Sequence, residues 1–134
     1  KLVGEFEGEF YLSLPALQEA ASRATIANLI HLETNFKIDL MFSGDTPFEI
    51  SAFERKVKHQ VTGLEFYFCT AEDIILAKLD WYRKSGRALD RQLRDIQTVM
   101  MVQRGLDLEY LRAWAKRQGT LAQLENSLRD AGVE

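Results

Sequence analysis

The sequence predicts an α+β protein in which a partial mixed or antiparallel sheet is followed by a C-terminal helical bundle. In residues 1–69, short runs of β-branched and aromatic residues alternate with turn residues, which is typical of strands. From Thr70 to the end, apolar residues recur with a helical period. Three glycines divide this second part into separate helices: Gly86, Gly105 and Gly119. No linker separates residues 1–69 from residues 70–134, so we expect the two regions to pack as one compact unit.

The chain opens with a strand and a helix. Residues 9–12 are aromatic and short enough for a strand. Ser13 then caps a helix that carries Pro15 in its first turn and runs to about Arg23.

A first hairpin is predicted from residues 28–32 and 36–42, joined around Thr34 and Asn35. A two-residue turn there would place Asp39 opposite Ile30. Alternation puts Asp39 on one face of its strand, and the apolar side chains on the other: Ile38, Leu40 and Phe42.

A short helix over residues 48–54 leads to a second strand pair. Residues 55–61 and 64–69 are predicted to pair around Thr62 and Gly63. Cys69 ends an aromatic run and is expected at the end of a buried strand, as an inert thiol.

Four helices should follow, near residues 71–84, 89–103, 107–118 and 120–131. Thr70 is predicted to cap the first of them, while Asp73 reaches back to the free backbone amides.

Lys78 conflicts with the pattern of its helix, because it falls inside the apolar arc that Ile75 and Leu79 define. An enclosed ammonium needs a counter-charge or a ligand, whereas a lysine at the rim of a core can extend to water. On the next helix Asp95 lies at the edge of the apolar stripe. The pair is therefore expected to be either a buried structural ion pair or part of a site.

Asp39 is the other candidate. A carboxylate on a rigid strand suits a hard cation or a general base, although an acid on a solvated sheet face is the common alternative.

Composition excludes several classes of function. The formal net charge is −3 and the pI is near 5.5, so the chain as a whole does not attract polyanions. The sequence has no run of about 20 apolar residues, no signal-peptide pattern and a single cysteine, which together favour a reducing cytoplasm. Because the chain begins at Lys1, we expect it to be a processed product or part of something longer.

Four segments resemble the later part of the bacterial nucleotidyltransferase-like family related to AbiEii-type toxins. They are residues 28–42, residues 70–83, residues 91–95 and residues 106–131. Most specific is the run Ala-Glu-Asp-Ile-Ile-Leu-Ala-Lys-Leu from Ala71, followed later by Arg94 and Asp95.

The resemblance implies transfer of a nucleoside monophosphate from a nucleoside triphosphate with Mg²⁺. In that family an Asp-x-Asp strand preceded by a Gly-Ser turn comes before a third acid, which Asp39 resembles as metal ligand or base. Lys78 and Asp95 match positions near the bound nucleotide. The acceptor is left open between a tRNA, a protein and a small molecule, and so is an antitoxin-like partner or a homo-oligomer.

The Gly-Ser turn and the Asp-x-Asp strand do not occur upstream of Asp39. A two-metal transfer needs several carboxylates, so this chain is expected to be catalytically incomplete. The alternative is a non-catalytic protein-interaction or regulatory module with a degenerate nucleotidyltransferase fold. An open sheet edge and an apolar face would favour that alternative.

Overall fold

The computed structural model describes residues 4, 6, 8–85 and 90–133. Within them the predicted α+β composition is confirmed, with six helices and two small antiparallel sheets. The strands are β1 (Phe10–Tyr11), β2 (Ile26–His31), β3 (Lys37–Met41), β4 (Val57–Val61) and β5 (Leu64–Phe68). The helices are α1 (Leu14–Arg23), α2 (Pro47–Glu54), α3 (Ala71–Lys84), α4 (Asp90–Val102), α5 (Leu108–Gln118) and α6 (Leu121–Ala131).

The chain divides into two compact units, Lys1–Glu49 and Ile50–Glu134. The change of pattern in the sequence came later, at residue 70. The second strand pair therefore belongs to the same unit as the helices that follow it. One physical tie is Arg55, which precedes β4 and forms ion pairs with Glu72 and Asp73 at the start of α3.

In the first unit, a three-stranded antiparallel sheet has the order β1, β2, β3. Ser13 caps α1 as predicted, and its hydroxyl accepts from the N–H of Ala16 at 3.4 Å. A small core forms where Leu17 and Ala20 of α1 meet Ala27 of β2.

The first hairpin lacks the two-residue turn that would have placed Asp39 opposite Ile30. Asp39 lies opposite Asn28, two residues away from the expected Ile30. The loop is longer than two residues, because the N–H of Asn35 bonds to the carbonyl of His31 and Asn35 adopts a φ of 56°. Since the shift is an even number of residues, Asp39 keeps the predicted face.

In the second unit, β4 and β5 form a two-stranded ribbon around the predicted turn at Thr62 and Gly63. The two turn residues have φ values of 49° and 82°, as a tight hairpin turn requires. Cys69 is exposed, and so is every residue of β5. The expectation of a buried strand ending at this thiol is therefore wrong.

The four C-terminal helices end within about two residues of the predicted bounds. They pack as α3 on α4 and α5, and as α6 on α4 and α5. Their core consists of side chains no more than 2% exposed: Ile75, Leu76, Leu79, Ile96, Met100, Leu111, Ala115, Leu124 and Leu128. None of the helices in the described ranges is both long enough and apolar enough to cross a bilayer.

Candidate functional site

The start of α3 positions the candidate lysine. Thr70 caps the helix as predicted, and its hydroxyl accepts from the N–H of Asp73 at 3.2 Å. With the helix beginning at Ala71, Lys78 follows two turns later.

Lys78 lies at the rim of the buried face of α3, not at its centre. Leu76 is fully buried, whereas Ile74 and Trp81 on the opposite shoulder are 37% and 38% exposed. The sequence placed Lys78 inside the apolar arc of α3. In the structure the buried face lies on the Leu76 side of the helix, so Lys78 lies outside its centre. The Lys78 side chain remains 25% exposed.

Lys78 and Asp95 contact each other. The Lys78 ammonium donates to Oδ2 of Asp95 at 2.8 Å and to Oε1 of Gln92 at 3.2 Å. Both acceptors lie on α4, so the contact joins two packed helices. The Asp95 side chain is 41% exposed, and the pair is therefore accessible from solvent.

Positive charge predominates around this contact. The hydrogen bond from Lys78 lowers the pKa of Asp95 more than desolvation raises it, and the charges of Lys78, Arg91 and Arg94 lower the pKa further. Arg91 and Arg94 are exposed on α4. The charges of three cations thus act on one carboxylate, an arrangement that favours an anionic ligand.

The lowered pKa predicts how the pair responds to acid. Because the pKa of Asp95 is lower in the folded state, the pair stabilises the fold above the unfolded pKa of about 3.9 and loses its effect as pH falls through the folded value. We expect Asp95→Asn to lower the melting temperature at pH 7, and the difference from the parent to shrink below about pH 4. Melting curves recorded from pH 7 to pH 3 would measure this. A difference that is independent of pH would contradict the ionic interpretation.

Asp39 lies in the first compact unit, on β3. Its side chain is 53% exposed and is 3.2 Å from the ammonium of Lys37. The side-chain amide of Asn28, on β2, donates to the same carboxylate. The contacts of Asp39 are those of an acid on a solvated sheet face.

A magnesium site is not supported by the residues around Asp39. Within the described ranges, no group of three or more His, Cys, Asp or Glu side chains is placed to hold a metal ion. The neighbours of Asp39 are the side-chain amide of Asn28, which donates to it, and the ammonium of Lys37. A magnesium ion would instead need further oxygen ligands at these places.

A buried polar network around Asp73 was not predicted from the sequence. Asp73 was expected to cap backbone amides, yet its carboxylate accepts from the hydroxyl of Tyr110 at 2.7 Å and from that of Thr70 at 2.6 Å. Asp73 is only 2% exposed. Its partner Tyr110 lies 37 residues later in the sequence, so no local pattern could have indicated the contact.

Arg55 completes this network. Its Nε lies 3.5 Å from Oδ2 of Asp73, and its guanidinium lies 3.8 Å from the centre of the Tyr110 ring. Burial, followed by the hydrogen bond to Asp73, raises the pKa of Tyr110 to about 12. The network joins Arg55, in the turn between α2 and β4, to α3 and α5, and we interpret it as structural.

Comparison of the chain with family models, with curated proteins and with solved structures finds no match. The resemblance to nucleotidyltransferase-like proteins therefore remains a prediction, based on the residues that carry it.

Proposed function

We propose that this chain belongs to a nucleotidyltransferase-like protein and that Lys78 and Asp95 contact a bound nucleoside triphosphate. In the complete protein, the proposed reaction is transfer of a nucleoside monophosphate to an RNA or protein acceptor. The observation that supports the proposal best is the solvent-accessible contact between the Lys78 ammonium and Asp95.

The ammonium has capacity for a ligand. A lysine ammonium carries three N–H donors, and the described residues accept from Lys78 at two places, Asp95 and Gln92. The remaining N–H donor can bind a phosphate oxygen, because the Lys78 side chain is 25% exposed to solvent.

The surrounding residues suit this role. Asp95 holds the ammonium in place, because it accepts a hydrogen bond from it at 2.8 Å. Arg91 and Arg94 add positive charge beside the pair, and such charge attracts a polyphosphate in spite of the overall charge of −3.

For this chain the proposal is limited to nucleotide binding. Asp39 has no set of carboxylates beside it in the described ranges, so no transfer step is assigned to it. Asp39 is retained in the proposal as a residue whose contribution to binding is to be tested.

Lys78→Met is expected to remove nucleotide binding while leaving the fold intact. The substitution keeps the aliphatic stem and deletes the charged donor, so we expect at least about a tenfold loss of affinity for a nucleoside triphosphate. Isothermal titration of the parent and the variant with each nucleoside triphosphate would measure the loss. Lys116→Met, at an exposed lysine on α5, is the matched control and should bind like the parent.

Two results would decide against the proposal. One is a parent chain that binds no nucleoside triphosphate, and the other is a Lys78→Met variant that binds as well as the parent. Asp39→Asn in the same titrations reports whether Asp39 contributes to the same binding event.

A further inference from the structure

The ribbon of β4 and β5 has one face that carries no Asp, Glu, Lys or Arg side chain. The register pairs Val57 with Phe68, His59 with Phe66 and Val61 with Leu64, so these six side chains share a face. The five apolar members are between 41% and 62% exposed. An exposed, contiguous apolar face of this kind marks an interaction surface.

This face borders a groove of about 660 Å³ within the second unit. On one side, the groove is lined by β4 and by Phe68 and Cys69 at the end of β5. On the other side it is lined by Thr70, Ala71 and Glu72 at the start of α3. The groove therefore runs beside β4 and has an apolar wall.

The outer edge of β4 also offers backbone groups. In the described part of the chain, β5 is the only strand that pairs with β4. Because the turn has two residues, Val61 and Leu64 form the first hydrogen-bonded pair of the ladder. Every second residue pair from there on is hydrogen-bonded, and the pairs between them are not. The N–H groups of Lys58 and Gln60 therefore point outward, where an added strand can accept from them.

The charge beside this edge is positive. Residues 55–61 include two lysines and no acid. On β5, Glu65 lies opposite Gln60 and 3.0 Å from the Lys58 ammonium. The Lys56 ammonium lies 3.4 Å from the centre of the Phe53 ring, on the polar side of the ribbon. A partner with carboxylates on that side complements these lysines.

We propose that β4 takes up an extended acidic segment of another protein as a third strand. Alternate apolar side chains of that segment pack with Val57, His59 and Val61, and its acids lie beside Lys56 and Lys58. A second copy of β4 is a poorer occupant, because it would bring two sets of lysines together. The proposal does not depend on nucleotide binding by Lys78.

The probe is a fluorescent peptide in which valine and glutamate alternate over about eight residues. Titrated with the full chain and followed by fluorescence anisotropy, it should bind saturably and more weakly as salt is added. A peptide with lysine in place of glutamate should bind at least about tenfold more weakly.

Variants separate backbone pairing from simple adsorption. Gln60→Pro removes an outward N–H without touching the bonds to β5, and should abolish binding, whereas Gln60→Ala should not. Lys58→Glu should weaken binding about tenfold, and Lys116→Glu, on α5, should not. Two further peptides test the same pairing without altering the protein. One is N-methylated at the odd-numbered amides and the other at the even-numbered amides, so that only one of them loses the N–H groups that point toward β4. One methylated peptide should bind and the other should not.

Three results would overturn the proposal. The first is no saturable binding of the alternating peptide, and the second is equal binding of both methylated peptides. The third is a dimer of the chain alone, seen by sedimentation and dissociated by Gln60→Pro, since a second copy would then be the occupant.

Discussion

Asp73→Ala is expected to lower the free energy of unfolding by about 3 kcal/mol. Asp73 is 2% exposed and accepts hydrogen bonds from two hydroxyls, those of Thr70 and Tyr110. It also lies 3.5 Å from the Arg55 guanidinium. Removing the carboxylate leaves a partly buried cation and a hydroxyl without their main partner, and such groups cost more than the lost bond itself.

Chemical denaturation of the variant and the parent measures this loss. Asp95→Ala is the matched control, because Asp95 also contacts one cation but is 41% exposed, and solvent screening should make its loss much smaller than that of Asp73. Equal losses for the two variants would contradict the role assigned to burial. A second readout is the pKa of Tyr110, about 12 in the parent, which should fall when Asp73 is removed because a hydrogen bond and a negative charge are lost.

Leu79→Ala is expected to destabilise the second unit by about 3 kcal/mol. Leu79 is fully buried where α3 meets the other helices of the core. The truncated side chain leaves a cavity that close-packed neighbours fill only in part, and the cost of that cavity adds to the lost burial.

The matched control is Leu64→Ala, which deletes the same atoms from a side chain that is 62% exposed on β5. We expect this control to change the free energy of unfolding by no more than about 0.5 kcal/mol. Urea denaturation of both variants, with equal slopes, gives the comparison. A Leu79→Ala loss as small as that of Leu64→Ala would mean that the helical core is packed differently from the structure described.

The contact between Lys78 and Asp95 lies at the solvent-exposed edge of the helical core. Leu79 of α3 and Ile96 of α4 are fully buried where the two helices pack, whereas the ion pair between the same helices remains partly exposed. If the pair were deeply buried, its attraction would have to offset the desolvation of both charges, and no ligand could reach the ammonium. At this edge, the ammonium is both held in place and accessible.

Local sequence determined the secondary structure well. Thr70 at the start of α3 and Ser13 at the start of α1 both act as caps, because a short polar side chain bonds to backbone amides a few residues away. The turn at Thr62 and Gly63 and the helix bounds after residue 70 also follow from interactions within one or two turns of chain. The conflict between Lys78 and its apolar arc was likewise visible in the sequence.

Tertiary structure decided what periodicity could not. The hairpin register depended on the loop conformation at Asn35, which moved Asp39 opposite Asn28. The buried face of α3 depended on which helices packed against it, and this left Lys78 at the rim. The contact of Asp73 with Tyr110 spans 37 residues.

The sequence by itself therefore determined the elements, their caps and the conflict at Lys78, because these arise from short-range bonding and from a repeat along one segment. The exposure of the β4–β5 ribbon, the contact of Lys78 with Asp95 and the network around Asp73 were decided only by the tertiary structure. The reason is physical: burial and pairing depend on which surfaces meet, and that depends on residues far apart in the chain.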